Sequence, residues 1–246
     1  MSKIYFASDF HLGAPNYEAS REREAKIVRW LSSIQHDASE IYLMGDIFDF
    51  WFEYATVVPK GFTRFLGKLA ELSDAGIKIH VFTGNHDLWM SGYFEKELGI
   101  PVNKEPEERM LLGKTFYLGH GDGLGPGDRF YKFLRRVFHH PLFQGLFHFA
   151  HPDIGMRIAH AWSRKSRADG HEEQFLGEDN EWLAIYAKEC LEKKHYDFFI
   201  FGHRHLPLDI QLNENGSRYI NLGEWINHFT FAVFDGENLQ LKTFEG

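Results

Sequence analysis

Residues 4–11 have the sequence IYFASDFH, in which an apolar run passes directly into an aspartate and a histidine. Four later stretches repeat this change: IYLMGDIFD at 41–49, IKIHVFTGNHD at 77–87, TFYLGHGD at 115–122 and DFFIFGHRH at 197–205. Short runs rich in β-branched and aromatic residues are typical of buried strands. We therefore expect five strands, each ending in a cluster of polar side chains.

Helical periodicity separates the first three of these strands. Apolar residues recur at helical spacing in residues 18–34 and again in 61–75. Strand–helix–strand alternation favours an α/β architecture with parallel neighbouring strands. After Leu206 the pattern changes to four short runs separated by turn sequences, namely LDIQL, SRYINLG, TFAVFD and LQLKTF. We predict that these runs form a β-meander that completes a second sheet.

Length and composition limit the class of protein. The 246 residues are enough for one large domain, or for one domain with an insertion. Lys and Arg number 27 against 35 Asp and Glu, a net charge of −8, which argues against binding a long nucleic-acid backbone over the whole surface. A single cysteine, Cys190, excludes an internal disulfide and favours a buried apolar role on a helix in a reducing compartment. With no signal-like start and no run of 18 apolar residues, we expect a soluble cytoplasmic protein.

Residues 123–170 do not follow the strand–helix rhythm. Between Arg129 and Arg167 there are eight basic residues against one acidic residue, together with eight aromatic residues. Helical spacing is plausible for 128–138 and 154–166, with Pro141 and Pro152 as breaks. We interpret 123–170 as a helical insertion, called the cap below, and 1–122 with 171–246 as the core.

The strand ends supply a set of side chains suited to metal binding. In α/β sheets, functional groups gather beyond the carboxyl ends of the strands. Here these ends provide carboxylate, amide and imidazole ligands: Asp9, His11, Asp46, Asn85, His120, His203 and His205. Such groups suit divalent ions such as Mn²⁺, Fe²⁺ or Zn²⁺. Seven ligands are too many for one tetrahedral site and suit two ions about 3.5–4 Å apart, a geometry used for in-line phosphoryl displacement. The Asp9-x-His11 and His203-x-His205 spacings are expected to put both side chains on one side of an extended segment.

The ordered motifs Asp-x-His, Gly-Asp-x-x-Asp, Gly-Asn-His-Asp, Gly-His and Gly-His-x-His resemble the calcineurin-like metallophosphoesterase superfamily. The resemblance covers nearly the whole chain except the cap and implies two packed sheets flanked by helices. It implies a first ion held by Asp9, His11 and His205, a second held by Asn85, His120 and His203, and Asp46 bridging both. It also implies that His86 protonates the leaving group or stabilises charge on the phosphate, with Asp49 orienting its imidazole. Asp87 and Asp122 stay open between supporting hydrogen bonds and capping of the following turn.

Within that superfamily, residues 43–49, 119–122 and 219–225 and the basic-aromatic cap are similar to the UDP-2,3-diacylglucosamine pyrophosphohydrolases of lipid A biosynthesis in Gram-negative bacteria. This resemblance implies two Mn²⁺ ions and attack of a bridging water on the pyrophosphate, giving UMP and 2,3-diacylglucosamine 1-phosphate. It implies a cap that binds acyl chains and touches the cytoplasmic face of the inner membrane transiently. In the cap, we predict that Arg164, Lys165 and Arg167 contact the substrate phosphate or the glucosamine end.

Several alternatives stay open at this point. The best-known branch of that family has arginine where this chain has His86, whereas histidine is the wider superfamily pattern and also appears in a related branch. The substrate is therefore either the lipid-linked nucleotide or a soluble nucleotide or phosphoprotein. The cap aromatics have a second interpretation, as the insertion's own core. A metal-binding scaffold without catalysis is disfavoured by the intact ligand set, and we expect no nucleic acid and no obligate protein partner.

Overall fold

A computed structural model describes residues 2–126, 141–149, 151–155, 157–158, 174–175 and 177–246. The strands form two sheets. The first has the order β11–β10–β1–β2–β3–β4, and its strands are β1 (Lys3–Ala7), β2 (Ala38–Met44), β3 (Lys78–Phe82), β4 (Val102–Asn103), β10 (Thr230–Phe234) and β11 (Leu239–Thr243). Strands β1 to β4 are parallel, and β10 is antiparallel to β1.

The second sheet has five strands in the order β5–β6–β7–β9–β8. Their bounds are β5 (Glu107–Leu111), β6 (Lys114–Leu118), β7 (Phe198–Phe201), β8 (Pro207–Gln211) and β9 (Arg218–Leu222). The three central strands β6, β7 and β9 are parallel, and the two outer strands are antiparallel to their neighbours. The five predicted strands are confirmed, although each ends before its polar cluster.

The predicted β-meander is wrong as a single unit. Strands β8 and β9 join the second sheet, but β10 and β11 join the first, where β10 pairs with β1. The turn sequences between the four runs are local signals, so they could not indicate which sheet each hairpin extends. The pairing of β10 with β1 joins opposite ends of the chain.

The helices are α1 (Tyr17–Ile34), α2 (Thr63–Asp74), α3 (Tyr93–Leu98), α4 (Pro141–Phe149) and α5 (Trp182–Leu191), with a 3₁₀ turn at Glu178–Asn180. The side chain of Asn16 caps α1 by accepting from the Ala19 amide at 2.9 Å. Helix α2 has no side-chain cap of its own. The buried carboxylate of Glu24 on α1 replaces it, accepting from the first amides of α2 at 2.9 and 3.1 Å. The two helices are therefore fixed to each other.

Three apolar layers hold these elements together. One lies between the sheets and includes Phe6 and Phe116, whose rings stack 5.8 Å apart. A second lies between the first sheet and α1 to α3, and the third lies between the second sheet and α5. Cys190 lies on α5, as predicted, but is half-buried. Within the described part of the chain, no helix combines the length and apolar composition needed to cross a bilayer.

Candidate metal centre

All seven predicted ligands lie at neighbouring strand ends of the two sheets. From the first sheet come Asp9 and His11 after β1, Asp46 after β2 and Asn85 after β3; from the second come His120 after β6, and His203 and His205 after β7. Because β1 to β3 are parallel, and β6 is parallel to β7, the carboxyl ends of each set lie at one edge of its sheet. The packed sheets bring these two edges together.

The first ligand group is compact and almost completely buried. The Nε2 atom of His205 lies 3.2 Å from Oδ1 of Asp9, and the Nε2 atom of His11 lies 3.7 Å from the same oxygen. One oxygen of Asp46 completes the group, and the four ligand atoms lie within 4.8 Å of one another. Two imidazoles and two carboxylates at this separation could hold one divalent ion.

The second group surrounds the amide oxygen of Asn85. This Oδ1 lies 2.9 Å from Nδ1 of His203 and 3.2 Å from Nε2 of His120. The Oδ2 atom of Asp46 lies 3.4 Å from Nε2 of His120 and 3.8 Å from Nε2 of His11. A single carboxylate oxygen thus faces both groups, which is the position expected of a bridging ligand.

Two features of the centre fit a bound cation. Oδ1 of Asp9 is buried and accepts no hydrogen bond from the described residues, although the imidazoles of His205 and His11 lie 3.2 and 3.7 Å away. A buried carboxylate oxygen that accepts no hydrogen bond is costly. The Nε2 atoms of His11 and His205 lie only 3.0 Å apart. Two ring nitrogens that both direct lone pairs to the same point are stabilised when a cation lies between them.

The environment of His120 sets which of its nitrogens is available. Its Nδ1 lies 2.9 Å from the carbonyl oxygen of Met44, so Nδ1 must carry the proton that it donates. The lone pair of Nε2 is therefore directed toward Asn85 and Asp46. A backbone carbonyl that fixes the tautomer of a ligand histidine is common in metal sites.

The backbone conformation at the ligands differs from the prediction. Asp9, His11, Asp46, His203 and His205 have positive φ values of 56°, 44°, 50°, 68° and 53°. The two Asp/His-x-His pairs therefore do not lie on extended segments but in left-handed turns beyond the strand ends. Asp and His adopt this region more often than most residues. The Asp-x-His and His-x-His spacings in the sequence nevertheless do not indicate a left-handed backbone. Such strain persists only where surrounding contacts fix it.

Close packing of the ligand loops depends on two glycines. A Cβ atom on Gly84 would lie 2.5 Å from the backbone nitrogen of Asp46 and closer still to its carboxylate. A Cβ atom on Gly202 would lie 2.8 Å from Cβ of Ser8 and would also collide with the Asp9 carboxylate. Glycine is required at both positions because any Cβ atom would collide with a neighbouring loop, and not because the backbone is left-handed.

Asp87 has a supporting role that the sequence left open. It is buried, and it accepts from the amides of Gly84 at 2.7 Å, Ile47 at 2.8 Å and Phe48 at 3.3 Å. It therefore ties the loop after β2 to the loop after β3. Burial and the negative charge of Asp46 raise the pKa of Asp87 to about 7.

Arg23 is a supporting residue that no motif in the sequence indicated. It lies on α1, is buried, and donates to the carbonyl oxygen of His11 at 2.7 Å and to that of Ala14. The sequence places Arg23 on an amphipathic helix, but it does not show that the side chain of Arg23 is buried. Asp122 is also buried and lines a small cavity with His120.

His86 and Asp49 lie beside the first ligand group. The ring centroids of His86 and His11 are 4.9 Å apart. Nδ1 of His86 lies 3.0 Å from the backbone carbonyl oxygen of Asp49 and 3.9 Å from its carboxylate. The imidazole is thus oriented by the main chain of Asp49 at shorter range than by the side chain that the resemblance implied.

Electrostatics in the metal-free centre favour an ionised Asp46 and a neutral His203. Burial alone would raise the pKa of Asp46, but the Coulombic attraction of the neighbouring His120 and His86 imidazoles lowers it below its usual range. The charge of Asp46 in turn raises the pKa of His120 despite its burial, so a cation bound at Nε2 of His120 would displace a proton. Burial and the neighbouring His120 lower the pKa of His203 to about 4. At neutral pH Asp46 therefore carries charge, and His203 has a lone pair for a metal ion.

Only part of the cap lies within the described residues. The predicted helix at 128–138 and the residues Arg164, Lys165 and Arg167 lie outside them, and of 154–166 only 154–155 and 157–158 lie inside. Helix α4, at Pro141–Phe149, is the part of the cap whose bounds the structure describes. The Phe147 ring on α4 packs 4.7 Å from Phe52 and 5.0 Å from Trp89.

Helix α4 also carries an exposed apolar face. Leu142 is 62% exposed, Leu146 60% and Phe149 92%. These residues recur at helical spacing on the side away from Phe147. A contiguous exposed apolar surface is typical of a binding surface in a soluble domain.

Comparison with known proteins gives the family of the chain and several relatives. Residues 2–207 match the sequence pattern of the family described as calcineurin-like phosphoesterase. The chain is 44% identical over 258 residues to the UDP-2,3-diacylglucosamine hydrolase of Porphyromonas gingivalis, covering 99% of this chain and 98% of that protein. It is 27% identical to the enzyme of the same name from Pseudomonas fluorescens, over 94% of this chain and 96% of that protein. The solved structure of Yfce, a phosphoesterase from E. coli, covers 98% of this chain and 92% of its own, with a TM-score of 0.46 and 16% identity.

Proposed function

Because the chain belongs to the calcineurin-like phosphoesterase family, we propose that it uses two divalent ions to hydrolyse the pyrophosphate of UDP-2,3-diacylglucosamine, with UMP and 2,3-diacylglucosamine 1-phosphate as products. The observation that carries the reaction type is the shared oxygen of Asp46, which faces both ligand groups. The relatives that share nearly the full length of the chain support the choice of substrate.

The proposed ligand residues form two ion-binding positions. Asp9, His11 and His205 would hold one ion, Asn85, His120 and His203 would hold the other, and Asp46 would bridge them. When bound, such a pair supplies Lewis acidity to phosphoryl oxygens and lowers the pKa of water. We propose Mn²⁺ as the native metal, since the mixed carboxylate, amide and imidazole set suits it.

His86 is proposed as the proton donor to the leaving group. Since its Nδ1 donates to the carbonyl of Asp49 at 3.0 Å, Nε2 is the ring nitrogen that exchanges a proton with substrate. Its side chain is 14% exposed, which leaves it open to a ligand at the mouth of the site. The carboxylate of Asp49, 3.9 Å away, stabilises the protonated ring.

The cap, residues 123–170, is proposed to recognise the lipid part of the substrate, with 1–122 and 171–246 as the catalytic core. Its helix α4 packs on Phe52 and Trp89, a few residues beyond Asp49 and Asp87, and presents apolar side chains outward. Acyl chains or a bilayer surface suit such a face. Arg164, Lys165 and Arg167 are proposed to bind the substrate phosphate or the glucosamine end.

The reaction is tested by ³¹P NMR of Mn²⁺-loaded protein with UDP-2,3-diacylglucosamine in detergent. Signals of UMP and of a sugar 1-phosphate are expected, and Asp46→Asn serves as the inactive control. If the lipid nucleotide is not cleaved while bis-p-nitrophenyl phosphate is hydrolysed, the substrate is a soluble phosphate ester or nucleotide. If neither is cleaved, the metallohydrolase proposal fails.

The cap proposal is tested by sedimentation with anionic phospholipid vesicles. Leu146→Glu combined with Phe149→Glu should reduce the bound fraction. Met110→Glu is the matched control, because Met110 is 67% exposed but lies on β5, near the hairpin at the opposite end of β6 from His120. Equal binding of both variants would refute membrane contact through α4. Separately, alanine substitution of Arg164, Lys165 and Arg167 should raise KM for the lipid nucleotide.

A further inference from the structure

We infer that Arg204 is a positioning residue for the metal centre, held by a buried ion pair with Glu181 at the base of the cap. Arg204 lies between His203 and His205, which belong to the two different ligand groups. The inference rests on the two-ion centre proposed above. It concerns a residue that contacts neither the proposed ions nor the reacting atoms.

The side chain of Arg204 is held by Glu181 and Trp182, and Glu181 is itself held by Tyr219. Its Nε lies 3.2 and 3.1 Å from the two carboxylate oxygens of Glu181. Its guanidinium carbon lies 4.1 Å from the centroid of the Trp182 ring, a cation–π contact. The Tyr219 hydroxyl donates to the same Glu181 carboxylate at 3.2 Å. The two charged side chains are 11% and 1% exposed, so little solvent screens their attraction.

The loop that carries the two histidines needs such an anchor. His203 and His205 both have left-handed backbone, which is unfavourable for residues with a Cβ atom. The Arg204 amide donates to the carbonyl oxygen of Gly202 at 2.8 Å, forming a tight turn, and the Asn221 side chain donates to that same oxygen. With Arg204 fixed against Glu181, the flanking histidines are directed toward the proposed ions.

The same ion pair lies beside the start of the cap. Glu181 and Trp182 directly follow the 3₁₀ turn at Glu178–Asn180. At the start of the cap, a Cβ atom on Gly125 would lie 2.6 Å from the carbonyl oxygen of Trp182, so these two segments are in direct contact. Glu181 and Trp182 therefore contact both the start of the cap, at Gly125, and the histidine loop, at Arg204.

The test is calorimetric titration of metal-free protein with Mn²⁺, which needs no turnover. Arg204→Ala should weaken binding of both ions by about 10–100-fold, the range seen for residues that orient metal ligands. Arg204→Lys should recover part of the affinity, since an ammonium group can still pair with Glu181. Glu181→Gln should give an intermediate loss, because it keeps the volume but removes the charge.

Arg218→Ala is the matched control. Arg218 forms an ion pair with Asp209, with Nε 3.0 Å from Oδ1, on the β8–β9 hairpin. It also has an arginine–aromatic contact with Phe198, at the longer distance of 5.7 Å from the ring centroid. This variant should bind Mn²⁺ as the wild type does. Circular dichroism melting confirms that each titrated variant is folded. If Arg204→Ala does not fold, Arg204→Lys and Glu181→Gln carry the test because they preserve packing.

Two outcomes would overturn the inference. Wild-type affinity for both ions in folded Arg204→Ala would do so, and a lower melting temperature in that case would leave the pair a purely stabilising role. An affinity loss in Arg218→Ala equal to that in Arg204→Ala would show a general effect of lost ion pairs. A wild-type protein that binds no divalent ion would instead refute the two-ion centre itself.

Discussion

Substitution of Gly84 by alanine should damage the metal centre through a single added carbon atom. The backbone of Gly84 is not left-handed, so the effect comes from contact alone. The new Cβ would lie 2.5 Å from the nitrogen of Asp46 and 2.7 Å from its Cγ. Since non-bonded carbon contacts are most favourable near 3.5 Å, the two loops must separate by about 1 Å. Gly84 also donates to Asp87, so the movement disturbs that support as well.

A displacement of about 1 Å in a catalytic group lowers activity by about 10²-fold. Overpacking of this kind also reduces the free energy of unfolding by about 1–3 kcal/mol. For a chain of this size, each kcal/mol lowers the melting temperature by about 2–4 °C. Gly84→Ala should therefore have a kcat reduced by about 10²-fold and a lower melting temperature.

The control for this prediction is Gly67→Ala on α2. A Cβ atom there meets no other atom within 4 Å, and alanine is the better helix former. This variant should gain about 0.5–1 kcal/mol of stability at unchanged kcat. Both variants are measured by steady-state cleavage of bis-p-nitrophenyl phosphate and by thermal melting. Wild-type kcat in Gly84→Ala would refute the argument that loop contact positions Asp46.

Three further results are expected. His86→Ala should bind Mn²⁺ normally in calorimetry while kcat falls by about 10²–10⁴-fold, because the ring is the proposed proton donor; full activity would remove His86 from the mechanism. Asp46→Asn should reduce the content of both ions by elemental analysis, whereas Asn85→Ala should reduce mainly one, since only Asp46 faces both ligand groups; selective loss of one ion in Asp46→Asn would contradict a bridge. Burial lowers the pKa of His80 from 6.5, so the unfolded chain binds more protons and the metal-free protein should lose stability as pH falls below about 6.5. His80→Phe should flatten this dependence in urea denaturation, and an unchanged slope would exclude His80 as its source.

The sequence predicts the elements of this fold whose signal is local. Apolar runs and helical spacing identified β1, β2, β3, β6 and β7, and the polar residues after them are the proposed ligands that the structure brings together. These strands and helices can be predicted because each pattern depends on a few adjacent residues. The convergence of the side chains follows from strand direction, because parallel strands place their carboxyl ends at one edge.

What the sequence did not predict depends on contacts between distant residues. The placement of β10 beside β1 is decided by pairing across the whole chain, not by the turns around it. The left-handed conformation of Asp9 and His11 is fixed from outside, in part by Arg23 on α1. Strand β5 and the short β4 were missed because Glu107–Leu111 is rich in charge and Val102–Asn103 has only two residues.

The pairing of β1 with β10 has a consequence for synthesis. The first strand of the chain cannot complete its sheet until residues 230–234 have left the ribosome. The amide of His203 and the carboxylate of Asp9, joined in the finished protein, are 194 positions apart. At about 5–20 residues per second, Asp9 waits roughly 10–40 s for that partner. The nascent chain therefore carries the earliest of its proposed metal ligands without their later partners for most of its translation, and any ion bound in that interval would be held by an incomplete set.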